Sequence, residues 1–388
     1  MFNILTLNKI SETGLGCLEK EKYNILNECG EPDGIILRSF AMHDMELPDS
    51  LLGVARAGAG TNNIPIDRCS EKGIAVFNTP GANANAVKEL VLAAMLSASR
   101  NLFDGVNWAR SLKGQDGIEK LVEKGKAAFV GPEIAGKTIG VLGLGAIGRL
   151  IAEACVALGM TVIGYDPFVF VEGVAYKPTK DLEEIYAKSD YITIHVPYND
   201  ETKDMFNDAT FAKVKKGLYL MNFARGELVN TGAVLRAVAN GTVARYMTDF
   251  ATEEMLGVKN IIPVPHLGAS TPESEENCAA MASAQLKNYL EFGNIRNSVN
   301  FPNCELEYKG KDRVCVNYRA ETGFEDAAAA ALSAAGIPVA GSVYKERGAY
   351  GYALVDADSR GGDALAELGK LGGVLKIRRI RNGDVTNG

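Results

Sequence analysis

At 388 residues the chain is too long for one ordinary core, so two or three domains are expected. Its 47 % hydrophobic and 23 % charged residues are those of a globular protein. A net charge of −7 argues against nucleic acid as a partner and requires any anionic substrate to be met by a local cluster of cations.

Short apolar strands are expected at residues 3–7, 34–37, 53–57 and 74–77, with helical segments between them. Such alternation predicts a parallel sheet covered on both faces. The first of these strands lacks a basic flank, so it is not read as a signal peptide. A polar loop at 78–83 leads into a long apolar-faced helix at 85–110. Apolar stretches such as 90–98 are too short to span a bilayer, so no membrane partner is expected. Residues 111–136, rich in Lys and Gly, read as exposed connection. From 137 to 265 the alternation resumes, with strands at 138–142, 161–165, 191–195, 218–222, 243–249 and 261–264. A helix at 272–292 then leads to Phe301-Pro302-Asn303, a domain boundary. Beyond it come a strand (313–318), a helix (324–335), two strands (339–344 and 349–355), a helix (363–370) and a strand (374–379), the order of a ferredoxin-like module. Residues 381–388 read as a frayed end. Seven cysteines are scattered without a CxxC pair, which points to a reducing compartment and a cytoplasmic location; no metal site is expected.

The most telling segment runs from Thr138 to Arg149. An apolar strand meets Gly143, Gly145 and Gly148 at dinucleotide-fingerprint spacing, a helix follows, and the next strand, 161–165, ends on Asp166. Gly143 makes the tight turn, Gly145 admits the pyrophosphate to the backbone, and Gly148 lets the helix pack against the sheet. The amides of the helix N-terminus face the phosphates. Asp166 can accept hydrogen bonds from both adenosine ribose hydroxyls. A 2′-phosphate there would place like charges about 4 Å apart, worth roughly 4 kcal/mol at a surface-like dielectric. Pro167, Phe168 and Val169 follow, with no arginine to offset that repulsion, so the expected cofactor is NAD rather than NADP.

The chain has three histidines, His43, His195 and His266. Hydride transfer to or from a hydroxy acid needs a group that takes or returns the hydroxyl proton, and histidine suits that near neutral pH. His266 follows a strand, where a doubly wound sheet faces its ligand. His195 closes another strand and could line the cofactor instead, so spacing leaves the two open; His43, among Met42, Asp44 and Met45, reads as surface. Arg225 follows the strand 218–222, where a guanidinium could fork onto a substrate carboxylate. Asp249 ends the next strand, with Glu253 and Glu254 close behind, and an acid near His266 would hold its tautomer and raise its pKa. Backbone amides around Gly58-Ala59-Gly60 could cradle a carboxylate, since small residues allow close approach.

The fingerprint, the segment Asn222-Phe223-Ala224-Arg225-Gly226-Glu227-Leu228-Val229-Asn230 and the segment Pro265-His266-Leu267-Gly268-Ala269-Ser270-Thr271 resemble the D-isomer-specific 2-hydroxyacid dehydrogenases. The resemblance extends to 57–64 and 76–80 and covers nearly the whole chain. It implies an NAD-dependent oxidoreductase with Arg225, Glu254 and His266 as catalytic residues. Glu254 is preferred to Glu253 because the family's acid lies five positions after the strand-end aspartate, here Asp249. Cofactor contacts are implied at Gly143, Gly145, Ala146, Ile147, Gly148, Asp166, Phe223, Ala224, Asp249 and Gly268, with His195 beside the cofactor. Substrate contacts are implied at Arg38, Arg56, Gly58, Ala59, Gly60 and Asn83. Arg38 and Arg56 match places where the family presents cations to a substrate phosphate, and Arg110, Lys113, Lys124 and Lys126 could add another.

A small anionic substrate follows, with 3-phosphoglycerate first and glycerate, hydroxypyruvate or D-lactate as rivals; a non-enzymatic NAD-sensing corepressor is the rival from another class. The implied architecture is α/β: a flavodoxin-like substrate-binding domain (1–84 and 271–303), interrupted by a Rossmann NAD domain (85–270), and an ACT-like regulatory or assembly module (304–388). The active cleft would lie between the first two, and a homodimer or higher homo-oligomer would form through the 85–110 helix. Two departures from the family pattern stand out. The segment 249–255 lacks Val-Phe after the aspartate and Pro after the glutamate. The turn 318–323 lacks the Asn and Pro of serine-binding modules, and Pro338 stands where Asn is usual, which argues against feedback by serine.

Overall fold

Five short strands open the chain: β1 (Phe2–Leu7), β2 (Tyr23–Leu26), β3 (Gly34–Leu37), β4 (Gly53–Arg56) and β5 (Ala75–Phe77). They pair in parallel in the order β2-β1-β3-β4-β5, the flavodoxin-like arrangement. The computed structural model describes residues 1–169, 172–308, 312–320, 323–358 and 362–381. The expected helices between these strands are mostly absent: α1 (Ile66–Glu71) joins β4 to β5, while one 3-10 turn, Thr13–Leu15, and loops serve β1 to β4. One face of this sheet is covered instead by a helix that comes much later in the chain. β2 went unread because it is an edge strand with Asn24 and Ile25 exposed, so it lacks the apolar run of a buried strand.

The residues from Ala84 to Thr271 form a unit of their own. It opens with α2 (Ala84–Ser99), α3 (Leu102–Ser111) and α4 (Ile118–Gly125). The single helix expected at 85–110 is therefore two. Asn101 takes a left-handed conformation (φ 50°), which asparagine tolerates better than most residues, and Arg245 Nη2 holds its side-chain oxygen at 2.5 Å. The stretch 111–136 is exposed, yet it includes α4 rather than being bare connection.

Then come β6 (Thr138–Leu142), α5 (Ala146–Ala157), β7 (Thr161–Tyr165), β8 (Lys177–Thr179), α6 (Leu182–Lys188), β9 (Tyr191–Ile194), α7 (Asp208–Phe211), β10 (Leu218–Asn222), α8 (Thr231–Ala239), β11 (Val243–Thr248) and β12 (Ile261–Pro263). The strands form a seven-stranded parallel sheet in the order β12-β11-β10-β9-β6-β7-β8, a Rossmann arrangement with its switch point at β6 and β9. Every residue of β9 is buried, as expected of a strand covered on both faces. β8, also unread in the sequence, is an edge strand that contains Pro178, a residue that cannot donate to a ladder.

A second unit joins Met1–Asn83 to the residues from Pro272 onward. Its later part comprises α9 (Pro272–Phe292), β13 (Asp312–Arg319), α10 (Phe324–Ala334), β14 (Val339–Arg347), β15 (Tyr350–Ala357), α11 (Ala364–Leu368) and β16 (Val374–Ile380). The four strands form an antiparallel sheet, β14-β15-β13-β16. Residues 321–322 of the turn noted above and 382–388 of the end read as frayed lie outside the described residues.

α9 is the helix that covers the first sheet. Added Cβ atoms at Gly34 and Gly53 would meet Leu286 methyl carbons at 2.9 and 3.1 Å, so glycine at both positions sets how closely the helix approaches. One hydrophobic core then runs from Ile4, Ile36, Ala55 and Phe77 through Leu286 and Tyr289 to Cys315, Tyr352 and Leu354. The last carbonyls of α9, which lack partners within the helix, are met from the antiparallel sheet. Arg378 donates to Tyr289 and to Leu290 (2.9 Å), Arg313 to Phe292 (2.8 Å), and the Tyr352 hydroxyl to Gly293 (2.6 Å). No helix among the described residues is long and apolar enough to cross a membrane.

Candidate active site

Each glycine of the fingerprint has a distinct structural reason. Gly143 has φ 92°, its amide bonds the Tyr165 carbonyl (2.8 Å), and a Cβ there would meet the His195 carbonyl oxygen at 2.6 Å. A Cβ at Gly148 would stand 1.8 Å from the Gly143 carbonyl oxygen, so this residue lets α5 sit against the turn. At Gly145 an added Cβ would meet nothing within 4 Å. That open space lies at the start of α5, whose first amides have no side-chain cap and are available to an anion. Gly145 and Ala146 are exposed there, while Ile147 is half-buried against the core. Substituting Gly148→Ala is expected to force α5 outward, costing about 1–3 kcal/mol of stability as overpacking does. The check is a lower denaturation midpoint together with weaker NAD binding by calorimetry.

Asp166 is more committed than its position suggests. Its Oδ2 accepts from the Leu144 amide (2.9 Å) and its Oδ1 from the Phe168 and Val169 amides (both 2.9 Å). Desolvation acts to raise this carboxyl, but the three amides prevail and hold it below the usual carboxylate range. With three of about four lone-pair sites taken, the Asp166 carboxylate keeps one for a further donor.

Three consecutive strand ends bring Arg225, Asp249 and His266 into one neighbourhood. Asn222, fully buried at the end of β10, accepts from the Ala224 amide (3.2 Å) and donates to the Arg225 carbonyl (2.8 Å). That turn presents the Arg225 side chain to solvent, where its Nη1 bonds the Ala224 carbonyl (2.7 Å). Sequence reasoning passed over Asn222; an asparagine at a strand end just before a turn was the available signal. Asp249 is buried, and its Oδ2 accepts from the Gly268 amide at 3.3 Å. Burial raises its carboxyl above the ordinary range, while the charges of His266 and Arg225 pull the other way. His266 itself is exposed, its ring edge-on to Phe250 with centroids 4.9 Å apart.

Glu254 stands apart. It is exposed on the 3-10 turn Glu253–Met255, whose Met255 is buried, and its own backbone amide is the main cause holding its carboxyl below the usual value. Among the described residues it makes no hydrogen bond or ion pair with His266. The carboxylate that shares an electrostatic field with His266 here is Asp249.

His195 is fixed differently. Its Nε2 lies 2.7 Å from Thr193 Oγ1, its Nδ1 is buried with no partner among the described residues, and burial pushes the imidazole down to about 3. Phe223 is a core residue, so only its backbone is available to a ligand, whereas Ala224 is half-buried. The residues fit a dinucleotide on these observations. There is open space at Gly145, an uncapped helix start, and two buried polar atoms without partners among the described residues, Asp249 Oδ1 and His195 Nδ1.

In the other unit, Arg56 folds over Gly58: a Cβ there would stand 2.1 Å from Arg56 Nη1. Arg56 Nε also donates to the Arg38 carbonyl (3.1 Å). Arg38 pairs with Glu275 at 2.5 Å across a partly exposed surface. The Gly58 amide is used by the Arg56 carbonyl (2.9 Å), which leaves the Ala59 and Gly60 amides to meet a ligand. Asn83 is half-buried just before α2.

Comparison with known proteins places the chain in a family. Residues 92–268 match the family model described as D-isomer specific 2-hydroxyacid dehydrogenase, NAD binding domain. The D-3-phosphoglycerate dehydrogenase of Rattus norvegicus is 34 % identical over 308 residues, which cover 75 % of this chain and 55 % of that protein. The chain thus spans little more than half the length of that relative. A Schizosaccharomyces pombe relative is 31 % identical over 337 residues, 78 % of this chain and 70 % of its own length. The NAD+-bound 3-phosphoglycerate dehydrogenase of Entamoeba histolytica matches with a TM-score of 0.61 at 25 % identity, covering 77 % of this chain and 98 % of that one. The chain belongs to the D-isomer specific 2-hydroxyacid dehydrogenase family.

Proposed function

We propose that this chain oxidises D-3-phosphoglycerate to 3-phosphohydroxypyruvate with NAD, the first step of serine synthesis, in the cytoplasm. The observation that carries the reading is the meeting of Arg225, Asp249 and His266 at adjacent strand ends of the sheet that bears the dinucleotide turn. Arg225 forks onto the substrate carboxylate and the neighbouring C2 oxygen. His266 takes the C2 hydroxyl proton as the carbonyl forms. NAD, when bound, supplies the acceptor for the hydride that leaves C2. The Asp249 Oδ1 is a ready acceptor for the amide group of the nicotinamide. Gly268, through its amide, keeps that carboxylate in place. Glu254, exposed near the strand end that carries Asp249, is the family's supporting acid.

Arg56 and Arg38 supply the preference for a phosphorylated acid, and Asn83 contributes a polar side chain. The discontinuous unit is the substrate-binding half, and its antiparallel sheet is an ACT-type module. The exposed apolar side chains of Leu102, Phe103, Val106, Ile118 and Val122 on α3 and α4 suit burial against a second copy of the chain.

The test is a substrate panel with purified protein and NAD. kcat/KM on 3-phosphoglycerate is expected to exceed that on D-glycerate by about 10- to 100-fold, the worth of a charge-assisted phosphate contact. Equal rates on the two acids would move the reading to an unphosphorylated 2-hydroxy acid, an outcome that the pairing of Arg38 with Glu275 would favour. NAD binding without turnover on any acid would move it to a non-catalytic sensor.

A further inference from the structure

Helix α9 carries a buried polar side chain that the assignments above do not use. Gln285 is 8 % exposed, and its Nε2 donates to the Asn78 carbonyl oxygen at 2.9 Å. A carbonyl can only accept, so the amide must present its NH2 group there. The same peptide plane that holds the Asn78 carbonyl holds the Thr79 N–H, pointing the opposite way. That N–H donates to the Gly58 carbonyl at 3.1 Å. The Gly58 carbonyl in turn shares its plane with the Ala59 N–H. A second arm starts from the Asn78 side chain, whose Nδ2 donates to the Ala59 carbonyl at 2.7 Å. The Ala59 carbonyl shares its plane with the Gly60 N–H.

Gln285 therefore heads a chain of hydrogen bonds that passes through two peptide planes and ends on an outward-facing amide, with a parallel arm ending on the next one. Because trans peptides are planar, pinning the Gly58 and Ala59 carbonyls aims the Ala59 and Gly60 amides away from β5. Each bond in such a chain polarises the next. The head of the chain is itself fixed. Leu286 sits against Gly34 and Gly53, and Tyr289, one turn further on the same helix face, lies 4.8 Å beneath the Arg378 guanidinium.

We infer that Gln285 and Asn78 are positioning residues for the substrate loop, aiming the Ala59 and Gly60 amides at the carboxylate of a 2-hydroxy acid. The inference rests on the functional reading above. Neither residue touches the substrate; both act through the loop.

The test uses the full chain with Gln285→Met, which keeps length and loses the donor, and separately Asn78→Asp, which turns the second donor into an acceptor. Each is expected to raise KM for 3-phosphoglycerate about tenfold, as loss of a hydrogen bond to a buried carbonyl does. In each, kcat should stay within about twofold and NAD affinity by calorimetry should match the parent. Should Gln285→Met fail to fold, Asn78→Asp decides alone, because its side chain is only half-buried. Unchanged KM in the folded variants overturns the inference while the functional reading stands. A KM that rises only together with weaker NAD binding overturns it too, as general distortion. A parent protein silent on every hydroxy acid sinks the functional reading and the inference with it.

Discussion

Replacing His266 by asparagine is expected to lower kcat by about 10²–10⁴, the usual worth of a proton-transfer group, while NAD affinity stays near that of the parent. The argument is one of environment. An acid–base group must reach solvent or substrate, and His266 is exposed at a strand end beside Asp249. His195, equal to it in sequence position, sits where burial pushes its imidazole down to about 3. It remains neutral at working pH and lacks the acidic imidazolium proton that reduction of the carbonyl calls for. Steady-state kinetics in both directions, with calorimetry for NAD, checks the assignment. Near-parent turnover in His266→Asn, or a comparable kcat loss in His195→Asn with NAD binding retained, would reverse the roles.

The second large effect concerns stability. Arg313 is fully buried, paired with Asp356 at 2.6 and 2.8 Å, and also donates to the carbonyls of Phe292, Leu306 and Glu307. Arg313→Met leaves a buried carboxylate unpaired and three carbonyls without their donor. Breaking one side of a buried pair typically costs about 3–5 kcal/mol. Urea unfolding of the full chain should show the loss. Removing both charges in Arg313→Met with Asp356→Leu should recover much of it, because the uncompensated charge is then gone. A cost below about 1 kcal/mol for the single variant would mean that the pair does not hold the sheet to α9.

What could be read in the sequence was what depends on local backbone. The turn between β6 and α5 was legible because each of its glycines answers a requirement met within a few residues: a positive φ at Gly143, open space at Gly145 and close approach at Gly148. The strands of the Rossmann sheet were legible as buried apolar runs, except β8 with its proline. The covering of the first sheet was not, because α9 lies far along the chain from the glycines it packs on. Nor was the break at Asn101, which depends on Arg245 reaching across from β11. At the site, Arg225 stood out by chemistry and position, whereas His266 and His195, both at strand ends, were not separated by spacing. Gln285 did not, because a glutamine on a helix carries no sign that its amide will cap a chain of peptides elsewhere.

The shared core of the discontinuous unit also dictates an order of events during synthesis. Strands β1 to β5 leave the ribosome before the middle unit, yet their cover, α9, and the antiparallel sheet that completes the core are made only after everything from Ala84 to Thr271. The middle unit can close on itself while its predecessors still expose an apolar face and open strand edges. Contacts at such separation are slow to form, and waiting surfaces of this kind are where nascent chains aggregate. The early strands are therefore the segment of this protein with the greatest need of a holding chaperone.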